Sequence, residues 1–139
     1  MNSYKKTILE HHLDTFGHVN NATYLQILEE ARWDLTTKRG FGLSEIQKFK
    51  QGPVILEVNL KFIKELKNRM EIRITTELLE QKQKIGKLKQ QIFLSDGSLA
   101  AEAVFTFALF DLRERKIIEP TVDWKRRRAT SIISSSSVL

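Results

Sequence analysis

The hydrophobic period of this chain changes once, near its middle, and that change limits the folds open to it. Between Asn21 and Arg39 apolar residues recur at helical spacing. Tyr24, Leu28, Ala31 and Leu35 form one stripe, which Leu25 and Ile27 widen. From Val54 onward the spacing is two. Val54, Leu56, Val58, Leu60 and Phe62 alternate with Glu57, Asn59 and Lys61. Met70, Ile72, Ile74, Thr76 and Leu78 repeat the pattern, and Gly86, Leu88, Gln90, Ile92 and Leu94 follow it less cleanly. Leu99 to Leu112 is apolar on nearly both faces, which predicts a central strand covered on two sides. One long helix against a largely antiparallel sheet is an α+β domain. At 139 residues the chain has material for one such core and no second large domain.

Local signals punctuate this plan. Tyr4 to His12 predicts a short first strand, and Asp14 to Asn20 a polar turn around Gly17. Asn20 or Asn21 supplies a helix cap, and Gly40 suits the left-handed stop after Lys38 and Arg39. Leu43 to Phe49 predicts a second, short helix before a break at Gly52-Pro53, and Asp96-Gly97 marks a hairpin. Pro120 is expected to end the last regular element. The domain is expected to span residues 1–128, with 129–139, including four consecutive serines, as a flexible tail.

Composition excludes several classes. With 41% hydrophobic and 29% charged residues the chain is neither disordered throughout nor lipid-spanning. No apolar run approaches the ~20 residues of a membrane helix, so no stable membrane insertion is expected. Met1 to Glu10 lacks a signal-peptide core and the chain has no cysteine, which together fit a cytoplasmic location and exclude disulfides and thiolate chemistry. Twenty-three basic residues against 17 acidic ones leave a net charge of +6. Such a surface favours nucleic acid, anionic lipid or a phosphorylated cofactor. The basic residues cluster at Lys82, Lys84, Lys87 and Lys89 and again at Lys125 to Arg128. Nucleic-acid binding would favour stacking aromatics on a sheet, whereas the aromatics here alternate inward, so no nucleic-acid partner is expected.

The densest polar cluster precedes the long helix: His11, His12, Asp14, Gly17, His18, Asn20 and Asn21. A helix entry offers backbone N–H groups and a field that favours negative charge. A carboxylate there can activate water or attack a carbonyl while amides receive the oxyanion. It can equally bind the turn, with the asparagines as caps; spacing leaves both open. The histidines and Asp14 are metal-ligand types without metal-site spacing, so no metal is expected. No phosphate-loop, dinucleotide or serine-hydrolase motif is present. Glu29 and Arg32 stand three apart and can pair on the helix.

The run HLDTFGHVNNATYLQILEEARWD, His12 to Asp34, resembles the hotdog-fold acyl-CoA thioesterases, in the bacterial long-chain branch related to the 4-hydroxybenzoyl-CoA thioesterases. Weaker likeness continues through GPVILEVNLKF and AEAVFTFALFDL, covering about residues 4–115. The resemblance implies a hotdog fold, a long central helix wrapped by a curved antiparallel sheet, with subunits paired through their sheets. It implies hydrolysis of fatty acyl-CoA to free acid and CoA, medium to long chains preferred, without metal or cofactor, by a homodimer or tetramer. Asp14 falls on the family's catalytic carboxylate. Gly17, His18 and Asn21 fall on the loop that positions water or the oxyanion, and Tyr24 and Glu29 on pocket-supporting helix positions. Lys82, Lys84 and Lys87, or Arg126 to Arg128, are candidates for the CoA phosphates.

Departures weigh against the neighbours. Phe16 stands where plant acyl-ACP thioesterases carry asparagine, and Asp14 and His18 are four apart where hotdog hydratases space the pair five apart; Asn21 stands where some relatives carry tyrosine or histidine, so side-chain assistance there differs. A noncatalytic acyl-CoA-binding module, or action on acyl-ACP or aromatic acyl-CoA, remains the alternative. Leu25, Leu28, Val54, Leu56, Val58, Phe105 and Phe107 are candidates to line an acyl tunnel or to form ordinary core.

Overall fold

The computed structural model describes residues 3–128. The expected tail, 129–139, lies outside the described residues.

Strand β1 (Ser3–Thr7) is followed by a single 3-10 turn (Glu10–His12), then helix α1 (Asn21–Lys38) and helix α2 (Leu43–Phe49). Strands β2 (Gln51–Phe62), β3 (Glu71–Lys82), β4 (Ile85–Leu94) and β5 (Leu99–Asp111) then run as an antiparallel series, and β6 (Lys116–Ile118) and helix α3 (Val122–Arg127) close the chain. The sheet order is β1-β3-β4-β5-β2, with β6 on β5. β6 pairs with Leu109 to Asp111, taking up β5 where β4 ends at Phe107. This is the expected hotdog architecture, with α1 on one face of the sheet.

α1 forms where its signals point. Asn20 is the cap, its Oδ1 accepting the Ala22 N–H at 2.9 Å. Gly40 takes φ +89° two residues past the helix end. The helix buries Tyr24, Ile27, Leu28 and Ala31 against a sheet face that includes Ile72, Ile74, Ile92 and Phe105. Each large side chain so buried contributes roughly 2 kcal/mol. Leu25 lies off this face and is exposed, and Leu35 is only half-buried. One polar network crosses the same interface. Gln90, fully buried on β4, donates to the Leu28 carbonyl (3.1 Å) and Thr76 Oγ1 (2.9 Å) and accepts from Arg32 (3.0 Å). The Arg32 guanidinium also lies 4.4 Å from the centre of the Phe105 ring.

Four expectations need correction. The first strand stops at Thr7, because His12 Nδ1 accepts the Leu9 N–H and winds the chain into the 3-10 turn. The break before β2 falls at Lys50, which is left-handed, and Gly52 and Pro53 lie inside the strand. Proline is tolerated there because β2 is an edge strand with one unpaired side. β5 is covered fully on one face and only partly on the other: Ala101, Ala103, Phe105, Phe107 and Leu109 are buried, while on the second face Ala108 is buried but Glu102, Val104, Thr106 and Phe110 are half-buried. Pro120 does not end the ordered chain. Thr121 Oγ1 caps α3 (3.1 Å from the Trp124 nitrogen), and Trp124 packs edge-on against Phe41, ring centres 4.9 Å apart.

Candidate active site

The segment before α1 is a tight three-residue loop. The Gly17 N–H reaches the Asp14 carbonyl (3.1 Å), the Asp14 N–H reaches the His18 carbonyl (3.0 Å), and Gly17 has φ +83°. A residue with a Cβ adopts that conformation only under strain, which is what the sequence needs a glycine for here. A bridge from Leu13 to Val19 closes the loop on itself, and one from His18 to Lys67 ties it to the segment before β3.

This geometry gives the two oxygens of Asp14 different duties. Oδ1 accepts the Phe16 N–H at 2.8 Å, so the carboxylate is fixed by its own turn. Oδ2 lies 3.4 Å from His18 Nε2, and on the other side of the imidazole His18 Nδ1 lies 3.4 Å from Glu65 Oε1. The histidine therefore stands between two carboxylates, with the Asp14 side chain the more enclosed of the two (19% exposed against 55%). The turn thus occupies one oxygen of Asp14 and leaves the other beside His18.

A depression of about 230 Å³ opens beside the loop, lined by His18, Asn21, Tyr24, Phe62, Lys64 and Glu65 among others. Tyr24 is buried beneath it, its ring edge-on to Phe62 with centres 4.9 Å apart. Burial pushes the Tyr24 hydroxyl above its usual pKa, so it remains a neutral donor. Asn21 is exposed at the rim, and its Oδ1 accepts the Ala22 N–H (2.9 Å), a bond that does not use its NH₂ group. The backbone amides of Gly17, Val19, Asn20, Ala22 and Thr23 are already engaged by Asp14, Leu66, His12, Asn20 and Asn21. Those five amides are therefore committed to the loop, the helix cap and the segment before β3.

The remaining sequence candidates are dispersed. Glu29 lies farther along α1 and lines a second cavity, of about 110 Å³, between that helix and the sheet, together with Arg32, Trp33, Ile55, Phe107 and Arg128. Lys82, Lys84 and Lys87 stand exposed around the β3–β4 hairpin tip. That tip is next to Gly86, paired with Phe107, whereas the Asp14 end of the sheet is marked by Phe62, paired with Ala101 beside Ile92. Six residues of strand, roughly 20 Å, separate those levels. Within one protomer the three lysines and Asp14 are therefore not brought together. Of the C-terminal arginines, Arg127 donates to the carbonyls of Arg39 and Gly40 at the end of α1 (3.1 and 3.2 Å), and Arg128 is buried. Leu28 and Phe105 are core, while Leu25, Leu56 and Val58 are exposed. Sequence reasoning missed Phe62, Lys64 and Glu65 as neighbours of the loop. Phe62 ends β2 and Lys64 and Glu65 follow it; the period-two pattern marks Phe62 only as strand, and the His18–Lys67 and Val19–Leu66 pairings carry all three to the loop.

Comparison with known proteins agrees with this architecture. The model of the thioesterase-like superfamily matches residues 9–130. The long-chain acyl-CoA thioesterase FadM of Escherichia coli strain K12 is 34% identical over 115 residues, which span 78% of this chain and 82% of that protein. The crystal structure of YbaW, a probable thioesterase from Escherichia coli, superposes with a TM-score of 0.79 at 28% identity, covering 90% of this chain and 94% of the other. A Staphylococcus aureus protein solved in complex with CoA superposes with a TM-score of 0.84 over 90% of this chain and 79% of its own. At 17% identity that last likeness is one of fold.

Proposed function

Because the chain belongs to the thioesterase-like superfamily, we propose that it hydrolyses fatty acyl-CoA thioesters, with Asp14 as the group that starts the reaction. The observation that carries this reading is the asymmetric Asp14 carboxylate, with Oδ1 pinned by the Phe16 N–H and Oδ2 beside His18 at the mouth of a depression. Water adds across the thioester C–S bond, its hydroxyl going to the acyl carbon and a proton to the CoA sulfur. Oδ2 either takes a proton from that water or attacks the acyl carbon itself to give a mixed anhydride that water then opens. The NH₂ of Asn21, in the lining of the same depression, supplies a donor for charge developing on the carbonyl oxygen. Lys64, at the rim of the same depression, is the cation nearest to hand for the CoA phosphates.

An apolar path leaves this depression. Counting register from β5, the residues of β2 that share the helix-side face are Pro53, Ile55, Val58, Leu60 and Phe62, with the phase change supplied by the bulge between Ile55 and Glu57. Phe62, Val58 and Ile55 are exposed there, as are Leu25 and Trp33 on the flank of α1. Each buried methylene contributes about 0.8 kcal/mol, so a chain lying along this path should gain in kcat/KM as it lengthens. Medium to long chains are the expected substrates. The unpaired outer side of β2 carries the same reading to assembly: a second copy pairing there would cover both strand and path, making a homodimer the functional unit. Acyl-CoA is a cytoplasmic metabolite, and the reaction is placed there. Among the described residues no helix is long and apolar enough to cross a membrane.

The deciding experiment is release of free thiol from a panel of acyl-CoAs by wild type and Asp14→Asn. Rates should rise from butyryl-CoA to dodecanoyl-CoA and fall at least about 100-fold in the variant. No release from any short, long or aromatic thioester defeats the enzymatic reading and leaves an acyl-CoA-binding module, while an unimpaired variant defeats the role of Asp14. Rapid quench with mass spectrometry separates the two routes, since only nucleophilic attack leaves an acyl adduct on the protein.

A further inference from the structure

The second cavity has a composition that the hydrolytic site does not explain. It lies between the middle of α1 and the sheet, and its walls are largely apolar: Trp33, Ile55, Leu78, Leu88 and Phe107 contribute. Yet two arginines, Arg32 and Arg128, stand in its lining. Arg32 is bound to a neutral amide, Gln90 Oε1 at 3.0 Å, and to the face of Phe105. Arg128 is 8% exposed and donates through Nη1 to another neutral amide, Gln81, and its Nε is buried without a hydrogen-bond partner among the described residues. The carboxylate in the lining, Glu29, is exposed on α1; its charge favours the charged form of Arg32 from a distance, without a direct ion pair to either arginine among the described residues. The lining therefore holds two positive charges and one negative, with a buried donor left over. A buried guanidinium costs free energy unless an anion or a full set of acceptors meets it, and its forked donors match a carboxylate.

The cavity is also at a definite distance from the Asp14 site. Asn21 and Arg32 are three turns apart on α1, about 16 Å at the helical rise. The path of exposed apolar residues described above joins the two ends, from Phe62 beside Tyr24 to Ile55 in the cavity wall. An extended chain advances about 1.2 Å per bond, and a hydrogen bond to a guanidinium takes up about 3 Å of the span, so about 11 to 13 bonds bridge it. The volume of about 110 Å³ admits the end of a chain, not a whole one.

We propose that this cavity receives the far end of the acyl group and that its guanidiniums recognise a terminal carboxylate, so that mono-CoA thioesters of long α,ω-dicarboxylic acids, of about 12 to 14 carbons, are preferred over plain acyl chains of equal length. The proposal rests on the thioesterase reading for the near end of the substrate and names the chemistry of the far end. Arg128 is a specificity-determining residue in it and takes no part in bond breaking. Arg32, already committed to Gln90, completes the carboxylate fork.

Two readouts test this, one independent of turnover. The first is the ratio of kcat/KM for dodecanedioyl-CoA to that for dodecanoyl-CoA, measured in wild type, Arg128→Met and Arg128→Lys. The ratio should exceed one in wild type, fall about tenfold or more in Arg128→Met, and recover in part in Arg128→Lys. The second is thermal stabilisation of the wild type by free dodecanedioate against free dodecanoate at equal concentration. The diacid should stabilise more, and the difference should vanish in Arg128→Met. A wild-type ratio below one, or a ratio that Arg128→Met leaves where it was, overturns the proposal. If no thioester is cleaved, the thioesterase reading falls, and the stabilisation experiment alone decides the cavity: equal or greater stabilisation by the monoacid overturns it there too. An Arg128→Met protein that does not fold moves the test to Arg128→Lys and to the wild-type comparison of diacid with monoacid.

Discussion

Asp14 can serve both turn and chemistry because a carboxylate has two acceptors and the loop occupies only one. That division depends on Gly17. No neighbour lies within 4 Å of a Cβ built there, so Gly17→Ala meets no clash and registers the φ of +83° alone. The expected cost is about 1 kcal/mol, with a larger relative loss of kcat as the Asp14 carboxylate is displaced; chemical denaturation and thiol release measure the two separately. Two residues before Asp14, buried His12 offers a pH prediction. Burial is the main cause that lowers its pKa from the ordinary 6.5, with His11 and Lys6 acting in the same direction and Glu30 against them. The unfolded chain thus binds the proton more readily than the folded one. His12 therefore contributes no penalty above about pH 6.5, and stability falls as pH drops below that value. In His12→Asn, whose amide oxygen can still accept the Leu9 N–H, the fall in Tm between about pH 7.5 and about pH 5.5 should be smaller than in wild type.

At the scale of elements, the contact that most specifies how α1 sits is polar. Gln90 occupies an inward position on β4, where its alternation with Leu88 and Ile92 marks it as core, and it reaches a helix carbonyl, a β3 hydroxyl and Arg32 together. Gln90→Leu keeps the volume close but leaves the Arg32 guanidinium without its acceptor. We expect a loss of about 3 kcal/mol, read as a fall in Tm of about 10 °C. A loss under about 1 kcal/mol would mean that the network is spectator to helix docking. At the helix's outer side Glu30 holds β1, accepting from Lys6 at 2.8 Å and from Tyr4, and that hydrogen bond pushes the Tyr4 hydroxyl up to about 12. Short β1 thus has side-chain ties as well as its ladder to β3.

For the whole molecule, the decisive feature is an edge. β1 closes one side of the sheet with five residues, whereas β2 leaves the other open along twelve, with Ile55, Leu56, Val58 and Phe62 exposed. Apolar side chains on a long free edge favour pairing with a like edge. A charge placed there opposes pairing, so Val58→Asp should shift the light-scattering mass from dimer to monomer at micromolar protein. Wild-type protein that is a monomer at concentrations where it is fully active would refute the paired edge.

Much of this was legible in residue order, because it depends on neighbours along the chain. A 3.6 period with Asn20 before it and Gly40 after it can only be capped helix, period-two runs joined by Asp96-Gly97 form hairpins, and the HVNN loop with Asp14 and Gly17 is a local structure complete within a few residues. Contacts between distant segments were not legible. α3 has too few residues to show a period, so Trp124 became visible only against Phe41. Glu65 meets His18, and Arg128 enters the cavity beside Arg32, only because sheet pairing and the docking of α3 bring them there. Identical lysines and arginines look alike in sequence, yet folding left Lys82, Lys84 and Lys87 in solvent and took Arg128 out of it. Capping, turn and period are free energies of adjacent residues, so the sequence determined them by itself. Which charge ends in water and which in an apolar cavity depends on the surface that other elements present, and the tertiary structure alone decided that.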